Sequence, residues 1–144
     1  MNRKTRRRDS GITLIELLVV MVIIALFATL VGQRFFGKLK TANRSFAKNQ
    51  IAEFEGALDL FRLDAGRYPT TEEGLQALRV RPANVQNWDG PYLKKDLQPD
   101  PWKRPYVYRQ PGQHGEIDLL SLGADGQEGG EDDNADITNW ETTP

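Results

Sequence analysis

The sequence predicts an α+β protein with one long N-terminal helix, apolar in its first half, packed on a small C-terminal domain. That domain should hold a short helix and a small antiparallel β-sheet. An apolar run of bilayer-spanning length lies near the amino terminus, helical periodicity follows it without a proline before Pro69, and two short strand-like segments lie near the carboxyl end. The 144 residues allow one modest domain, and the absence of cysteine excludes disulfides and thiolate metal sites.

Charge is divided unevenly along the chain. Residues 1–11 form a basic leader with five basic residues and one acid, namely Arg3, Lys4, Arg6, Arg7, Arg8 and Asp9. The rest of the chain keeps 14 of the 19 basic and 19 of the 20 acidic side chains, a net charge of −5. A mildly acidic chain gives no reason to expect a nucleic acid partner.

The apolar run, Gly11 to Val31, is interrupted by one acid, Glu16. A carboxylate inside such a segment is costly and needs a specific partner. The basic leader and apolar run fit a cleaved secretory signal, an uncleaved anchor with its arginines in the cytoplasm, or a segment that is cut before the helix and retained. We predict a transmembrane helix over residues 12–33.

An amphipathic continuation of the helix is predicted over residues 34–66. Its apolar face should consist of residues at near-helical spacing: Leu39, Phe46, Ile51, Phe54, Leu58 and Phe61. The first half of this segment is basic and the second half acidic. Asp64-Ala65-Gly66 is typical of a helix end with Gly66 as the cap, so the whole helix should run from about Thr13 to Asp64.

Residues 67–144 should form the small globular domain. Pro69 followed by Thr70 or Thr71 as a cap predicts a short helix with Leu75 and Leu78 on its apolar face. Strands are expected over residues 105–109 and 116–122, the second with Ile117, Leu119 and Ser121 on one face. His114, the one histidine, lies in the turn between them, and no converging catalytic constellation is evident, so we predict that the protein is not an enzyme.

An acidic loop is predicted over residues 122–136. Residues 123–136 contain six acids and four glycines, without the spacing of an EF-hand. Oxygen ligands on a flexible loop suit calcium, and the lack of histidine and thiolates in it argues against zinc or copper. Composition alone leaves a solvated acidic segment as the alternative.

The segment Ser10-Gly11-Ile12-Thr13-Leu14-Ile15-Glu16 resembles the type IV prepilin signature. The resemblance implies a pilin-like fold in which residues 12–33 also form the filament core. It further implies cleavage after Gly11 by a prepilin peptidase, N-methylation of Ile12, and a role for Glu16 in assembly. Three positions depart from the usual family pattern: Ile12 replaces Phe, Ala25 replaces Gly and Gln33 replaces Pro.

Further segments are similar to the major pseudopilins of bacterial type II secretion systems: residues 67–75, 90–93, 100–102 with Tyr106, and 120–126. This resemblance implies a structural subunit that polymerises into a periplasmic pseudopilus and drives export of folded proteins across the outer membrane. The expected partners are its own copies, minor pseudopilins, the inner-membrane assembly platform and the prepilin peptidase. Before assembly the chain should cross the inner membrane once, with a cytoplasmic N-terminus and a periplasmic C-terminal domain.

A type IV pilin for adhesion, motility or DNA uptake is the alternative. Such pilins share the first segment but commonly carry a C-terminal cysteine pair, and this chain has no cysteine.

The same resemblance implies a calcium site in the acidic loop. Asp125, Asp132 and Asp133 would supply side chains, Leu122 and Glu128 would supply backbone carbonyls, and Asp136 is a further candidate that could replace Asp133. Trp140 is expected to pack back and close the loop. Lys103-Arg104 stands where the family usually has Gly-Asn, and we expect this pair to touch no ligand.

Overall fold

The computed structural model describes residues 12–141, and at residues 32–36 it describes the backbone alone. Helix α1 spans Leu14–Ala65. Thr13 begins it: the Thr13 Oγ1 atom accepts a hydrogen bond from the Glu16 backbone N–H at 3.3 Å, as an N-cap residue does. Gly66, at φ 73°, ends it, and its N–H donates to the Arg62 carbonyl oxygen at 2.8 Å. The predicted helix ends are therefore confirmed to within one residue.

The chain divides into two compact units, with the first ending at Leu39 and the second beginning at Lys40. In the first unit, Leu14–Val31 is long and apolar enough to cross a membrane, judged by length and composition. Its residues are all exposed, and its large apolar side chains range from 47% exposed for Val20 and Ile23 to 82% for Leu14.

The second unit has its own hydrophobic core. The segment of α1 from Lys40 onward contributes buried side chains at helical spacing: Ala47, Ile51, Phe54, Ala57, Leu58 and Phe61. They pack in one cluster with residues of the later segments, among them Leu78, Leu93 and Leu119. Leu39 and Phe46 were also predicted on this face, but Phe46 is 54% exposed because Ala47 occupies the inward position at that turn, and Leu39 is exposed as well.

A capped turn follows the helix and leads to the predicted short helix. Thr70 Oγ1 accepts from the Glu73 N–H, and the Glu73 carboxylate accepts from the Thr70 N–H, so the two residues bond reciprocally. The short helix that follows is a single 3₁₀ turn, Leu75–Leu78, with Leu78 fully buried.

A three-stranded antiparallel sheet completes the second unit. Its strands are β1 (Val107–Arg109), β2 (Asp118–Ser121) and β3 (Ile137–Thr138), in the spatial order β1-β2-β3. Tyr108 pairs with Leu119, and Leu120 pairs with Thr138. Strands β1 and β2 are shorter than predicted, β2 is buried on both faces, and β3 was not predicted. The acidic loop therefore connects β2 to β3.

Candidate functional site: the apolar helix start and the acidic loop

The start of α1 carries the residues predicted for processing and assembly. Gly11 and the basic leader lie outside the described residues. Ile12 is 72% exposed, and Glu16 lies in the first helical turn among exposed apolar side chains. The helix is continuous through Ala25, where the Thr29 hydroxyl donates to the Ala25 carbonyl oxygen at 2.9 Å. In the first unit, the apolar surface around Glu16 is thus open to lipid or to other chains.

The acidic loop is closed at its base by backbone contacts. The Ala124 N–H donates to the Asp133 carbonyl oxygen at 3.0 Å, and the Gly126 N–H donates to the Leu122 carbonyl oxygen at 3.1 Å. Gly123 has φ 61°, and a Cβ at that position would lie 2.8 Å from the Asn134 carbonyl oxygen. Only glycine combines this backbone conformation with such a close approach, so Gly123 allows the two ends of the loop to meet.

The predicted side-chain ligands have different surroundings. Asp125 Oδ1 accepts from the Gln127 N–H at 3.1 Å, and Asp132 has φ 52°, a left-handed conformation that aspartate tolerates. Asp133 pairs with the Lys40 ammonium, which raises the pKa of Lys40 through their hydrogen bond and mutual attraction. Asp136 Oδ2 accepts from the Gly129 N–H at 2.9 Å.

One oxygen of Asp136 has surroundings that suit a cation. Among the described side chains, Asp136 Oδ1 is buried and lacks a hydrogen-bond partner, an arrangement that is costly unless something binds it. Within residues 12–141, no three histidine or carboxylate side chains converge closely enough to hold a metal by themselves. An ion here would need backbone carbonyls as well, which matches a mixed oxygen ligand set of the kind calcium accepts.

The other predicted ligand residues supply carbonyls. The Leu122 carbonyl already accepts one hydrogen bond, from Gly126, and keeps a second lone pair. The Glu128 carboxylate pairs with Arg109 on β1, so its side chain is engaged away from the predicted ligand atom.

Sequence reasoning missed the basic side chains that contact the loop. The Arg44 guanidinium donates to two loop carbonyls, and Arg104 donates to two others. Arg104 was expected to touch no ligand, and it contacts Gly123 and Ala124, next to the predicted ligands. The basic first half of the amphipathic helix was the available signal for Lys40 and Arg44, but a pattern along one helix does not identify a partner far along the chain.

Trp140 was predicted to pack back and close the loop, and its ring contact in the structure is with the turn before β2. Its ring stacks on the His114 ring, with centroids 4.0 Å apart and an angle of 5° between planes. His114 Nδ1 lies 3.1 Å from Asp118 Oδ2, and Asp118 is fully buried in β2. Burial raises the pKa of the Asp118 carboxyl, but hydrogen bonds from the Gln113 N–H and from His114 outweigh it and hold the pKa below its ordinary value.

Two family patterns match the chain. The prokaryotic N-terminal methylation motif matches residues 6–32, and the family described as type II secretion system (T2SS), protein G, matches residues 34–140. The chain belongs to the type II secretion system protein G family. The resemblance inferred from the prepilin signature and the later motifs is therefore confirmed.

Individual relatives agree across nearly the whole chain. A type II secretion system core protein G of Pseudomonas aeruginosa is 48% identical over 141 residues, covering 94% of this chain and 98% of that protein. The corresponding protein of Vibrio cholerae is 44% identical over 140 residues, covering 95% of each chain. The crystal structure of the major pseudopilin of enterohaemorrhagic Escherichia coli aligns with a TM-score of 0.59 at 40% identity, covering 73% of this chain and 92% of that one.

Proposed function

We propose that this chain is the structural subunit that polymerises into the pseudopilus of a type II secretion system. Membership of the protein G family supports this role, and so does the architecture of a long helix on a small sheet-containing unit. One observation carries the assembly mechanism: the apolar segment Leu14–Val31 is exposed along its whole length in the single chain. Such a surface needs lipid or other apolar helices against it.

Glu16 determines how neighbouring helices align. The peptidase cuts after Gly11, and the new N-methylated amino group of Ile12 remains a cation beside the apolar segment. In the filament, the Glu16 carboxylate of one subunit pairs with the Ile12 amino group of a neighbour. An unpaired carboxylate among apolar helices is costly, so this pairing favours one relative position of the subunits over others. The resulting contact is heterologous, as an open helical polymer requires.

The location of the subunit follows from the leader and the apolar segment. The basic residues before Gly11 keep the N-terminus in the cytoplasm, and the second unit lies in the periplasm. The chain then leaves the inner membrane for the filament through the assembly platform, and minor pseudopilins share the filament. Export of folded proteins across the outer membrane is the work of that filament.

The acidic loop holds calcium in this proposal. The carboxylates of Asp125, Asp132 and Asp133 and the carbonyls of Leu122 and Glu128 would bind the ion, with Asp136 as a further ligand through its unpartnered Oδ1. Since no three carboxylates within residues 12–141 converge in the structure, these side chains would have to turn toward the ion as it binds. The bound ion supplies positive charge that offsets the repulsion among these carboxylates. The protein itself closes the loop through Gly123 and the Ala124–Asp133 hydrogen bond, which brings both ends of the ligand set together.

Filament assembly and secretion after substitution of Glu16 test the proposed function. In cells that carry the matching secretion system, Glu16→Gln should abolish filaments in sheared fractions and reduce secretion at least about tenfold, because one lost buried ion pair is worth several kcal/mol. Glu16→Asp keeps the charge and should restore part of both. Glu53→Gln, which removes an exposed carboxylate from the second unit, is the matched control. Normal filaments and secretion with Glu16→Gln would contradict this role of Glu16.

A further inference from the structure

Two arginines contact the acidic loop at its two ends. Arg44 Nη1 donates to the carbonyl oxygens of Asp132 at 2.9 Å and Ala135 at 2.7 Å. Arg104 donates to the carbonyl oxygens of Gly123 at 2.8 Å and Ala124 at 3.1 Å. Arg44 comes from α1 and Arg104 from the segment before β1, so two separate parts of the second unit hold one loop.

The hydrogen bonds of both arginines go to backbone oxygens of the loop rather than to its carboxylates. A guanidinium has several donors in a fixed plane, which lets one side chain bridge two carbonyls. The Arg44–Ala135 and both Arg104 contacts are partly buried, so solvent screens them less than it screens contacts on an open surface. These hydrogen bonds fix the loop backbone on either side of the predicted ligands. Less conformational entropy of the loop is therefore lost when an ion binds.

Lys40 contacts the loop in a different way. It lies one helical turn before Arg44, and its ammonium pairs with the Asp133 carboxylate, a predicted ligand side chain. The Lys40 side chain is 59% exposed, so the pair is a surface ion pair that contributes little to stability. A divalent cation at Asp133 would repel this ammonium. The Asp133 carboxylate would therefore pair either with Lys40 or with the divalent cation.

We propose that Arg44 and Arg104 are positioning residues that hold loop 122–136 ready for calcium, and that Lys40 competes with calcium for Asp133. The inference rests on the calcium site in the proposed function. It predicts opposite effects for two substitutions that remove the same charge one helical turn apart. Removal of the Lys40 charge should strengthen calcium binding, and removal of the Arg44 charge should weaken it.

Calcium affinity of the full-length chain in detergent micelles tests this directly, by equilibrium dialysis against radioactive calcium. Lys40→Gln should lower the Kd roughly two- to fivefold, the range expected for one exposed ion pair. Arg44→Gln and Arg104→Gln should each raise it about tenfold, since each removes two hydrogen bonds from a charged donor. A purely electrostatic effect of charge removal would instead lower the Kd in all three variants.

Conservative variants separate positioning from loss of folding. Lys40→Arg keeps the ion pair and should bind calcium as the wild type does. Arg44→Lys keeps the charge and one flexible donor, and should recover part of the affinity lost in Arg44→Gln. Thermal unfolding followed by circular dichroism identifies any variant that fails to fold, and Arg104→Gln tests positioning independently of helix α1.

Each outcome supports or overturns a defined part of the proposal. An unchanged or lower Kd in both arginine variants would overturn the positioning role. An unchanged or higher Kd in Lys40→Gln would overturn the competition. If the wild type binds calcium and no variant differs from it, this inference fails while the calcium site stands. If the wild type takes up no calcium at millimolar concentration, the calcium site fails and the inference fails with it.

Discussion

Residues 14–31 and residues 47–61 belong to the same helix, yet the apolar side chains of the first are exposed while one face of the second is buried. In the first segment Leu14 is 82% and Met21 75% exposed, whereas in the second Leu58 and Phe61 are fully buried. Burial of such side chains contributes about 1.5–3 kcal/mol each, so the second unit stabilises itself while the first offers the same kind of surface to its surroundings. A subunit that folds alone and polymerises afterwards needs this division.

The largest expected difference between the two segments comes from removing one phenylalanine ring from each. Phe61→Ala should lower the free energy of unfolding of the second unit by about 3–5 kcal/mol, because it leaves a cavity in a packed core. Phe27→Ala, at a position 65% exposed, should leave that unfolding unchanged and affect assembly instead. Chemical denaturation in micelles, followed by tryptophan fluorescence, measures both. Equal destabilisation by the two variants would remove the distinction.

The second unit also depends on a buried carboxylate, Asp118, whose hydrogen-bond partners all belong to that unit. Asp118 accepts hydrogen bonds from the Gln113 N–H at 2.9 Å and the His114 N–H at 3.1 Å. Asp118→Asn should lower the free energy of unfolding by about 1–3 kcal/mol. The reason is that the asparagine NH2 group would face N–H groups that need an acceptor. Thermal unfolding at neutral pH measures this loss, and Asp89→Asn, which changes an exposed carboxylate outside the acidic loop, serves as the control.

The Asp118→Asn substitution should also change how the stability of the second unit depends on pH. Because folding lowers the pKa of Asp118, its stabilising effect is present above the unfolded pKa and is lost as the pH falls through the lower folded value. The wild type should therefore lose stability more steeply than Asp118→Asn below about pH 4. Parallel acid unfolding curves for the two proteins would contradict the lowered pKa.

Two glycine-to-alanine substitutions, one at the base of the acidic loop and one on the open surface of α1, should have opposite effects on stability. Gly123→Ala should lower the free energy of unfolding by about 1–3 kcal/mol, because the backbone at this position is left-handed and the added methyl group would collide with the Asn134 carbonyl. Gly56→Ala, in α1 with open space around it, should instead stabilise by about 0.5–1 kcal/mol through helix propensity. Opposite shifts in melting temperature are expected, and shifts of the same sign would contradict the assigned closure at Gly123.

The sequence predicted what depends on local pattern and missed what depends on distant contacts. The ends of α1 follow from Thr13 and Gly66, a local cap and a local stop. Strand β3 has two residues after an acidic loop, too few for any alternation to show. Arg44 reaches Asp132 across 88 positions, and no spacing rule within a helix indicates such a partner.

The loop shows the same limit in its ligands. Its acid and glycine content suited either an oxygen site or a solvated acidic segment, and composition does not show which carboxylates have cations beside them. The Lys40 ion pair at Asp133 and the unpartnered oxygen of Asp136 emerge only from the folded second unit.

Intact mass spectrometry of the chain in filaments purified from cells with the prepilin peptidase tests the central claim most directly. The account predicts a subunit that begins at Ile12, carries one added methyl group and retains the whole apolar segment. Filaments whose subunits keep the basic leader, or that have lost Leu14–Val31, would contradict it.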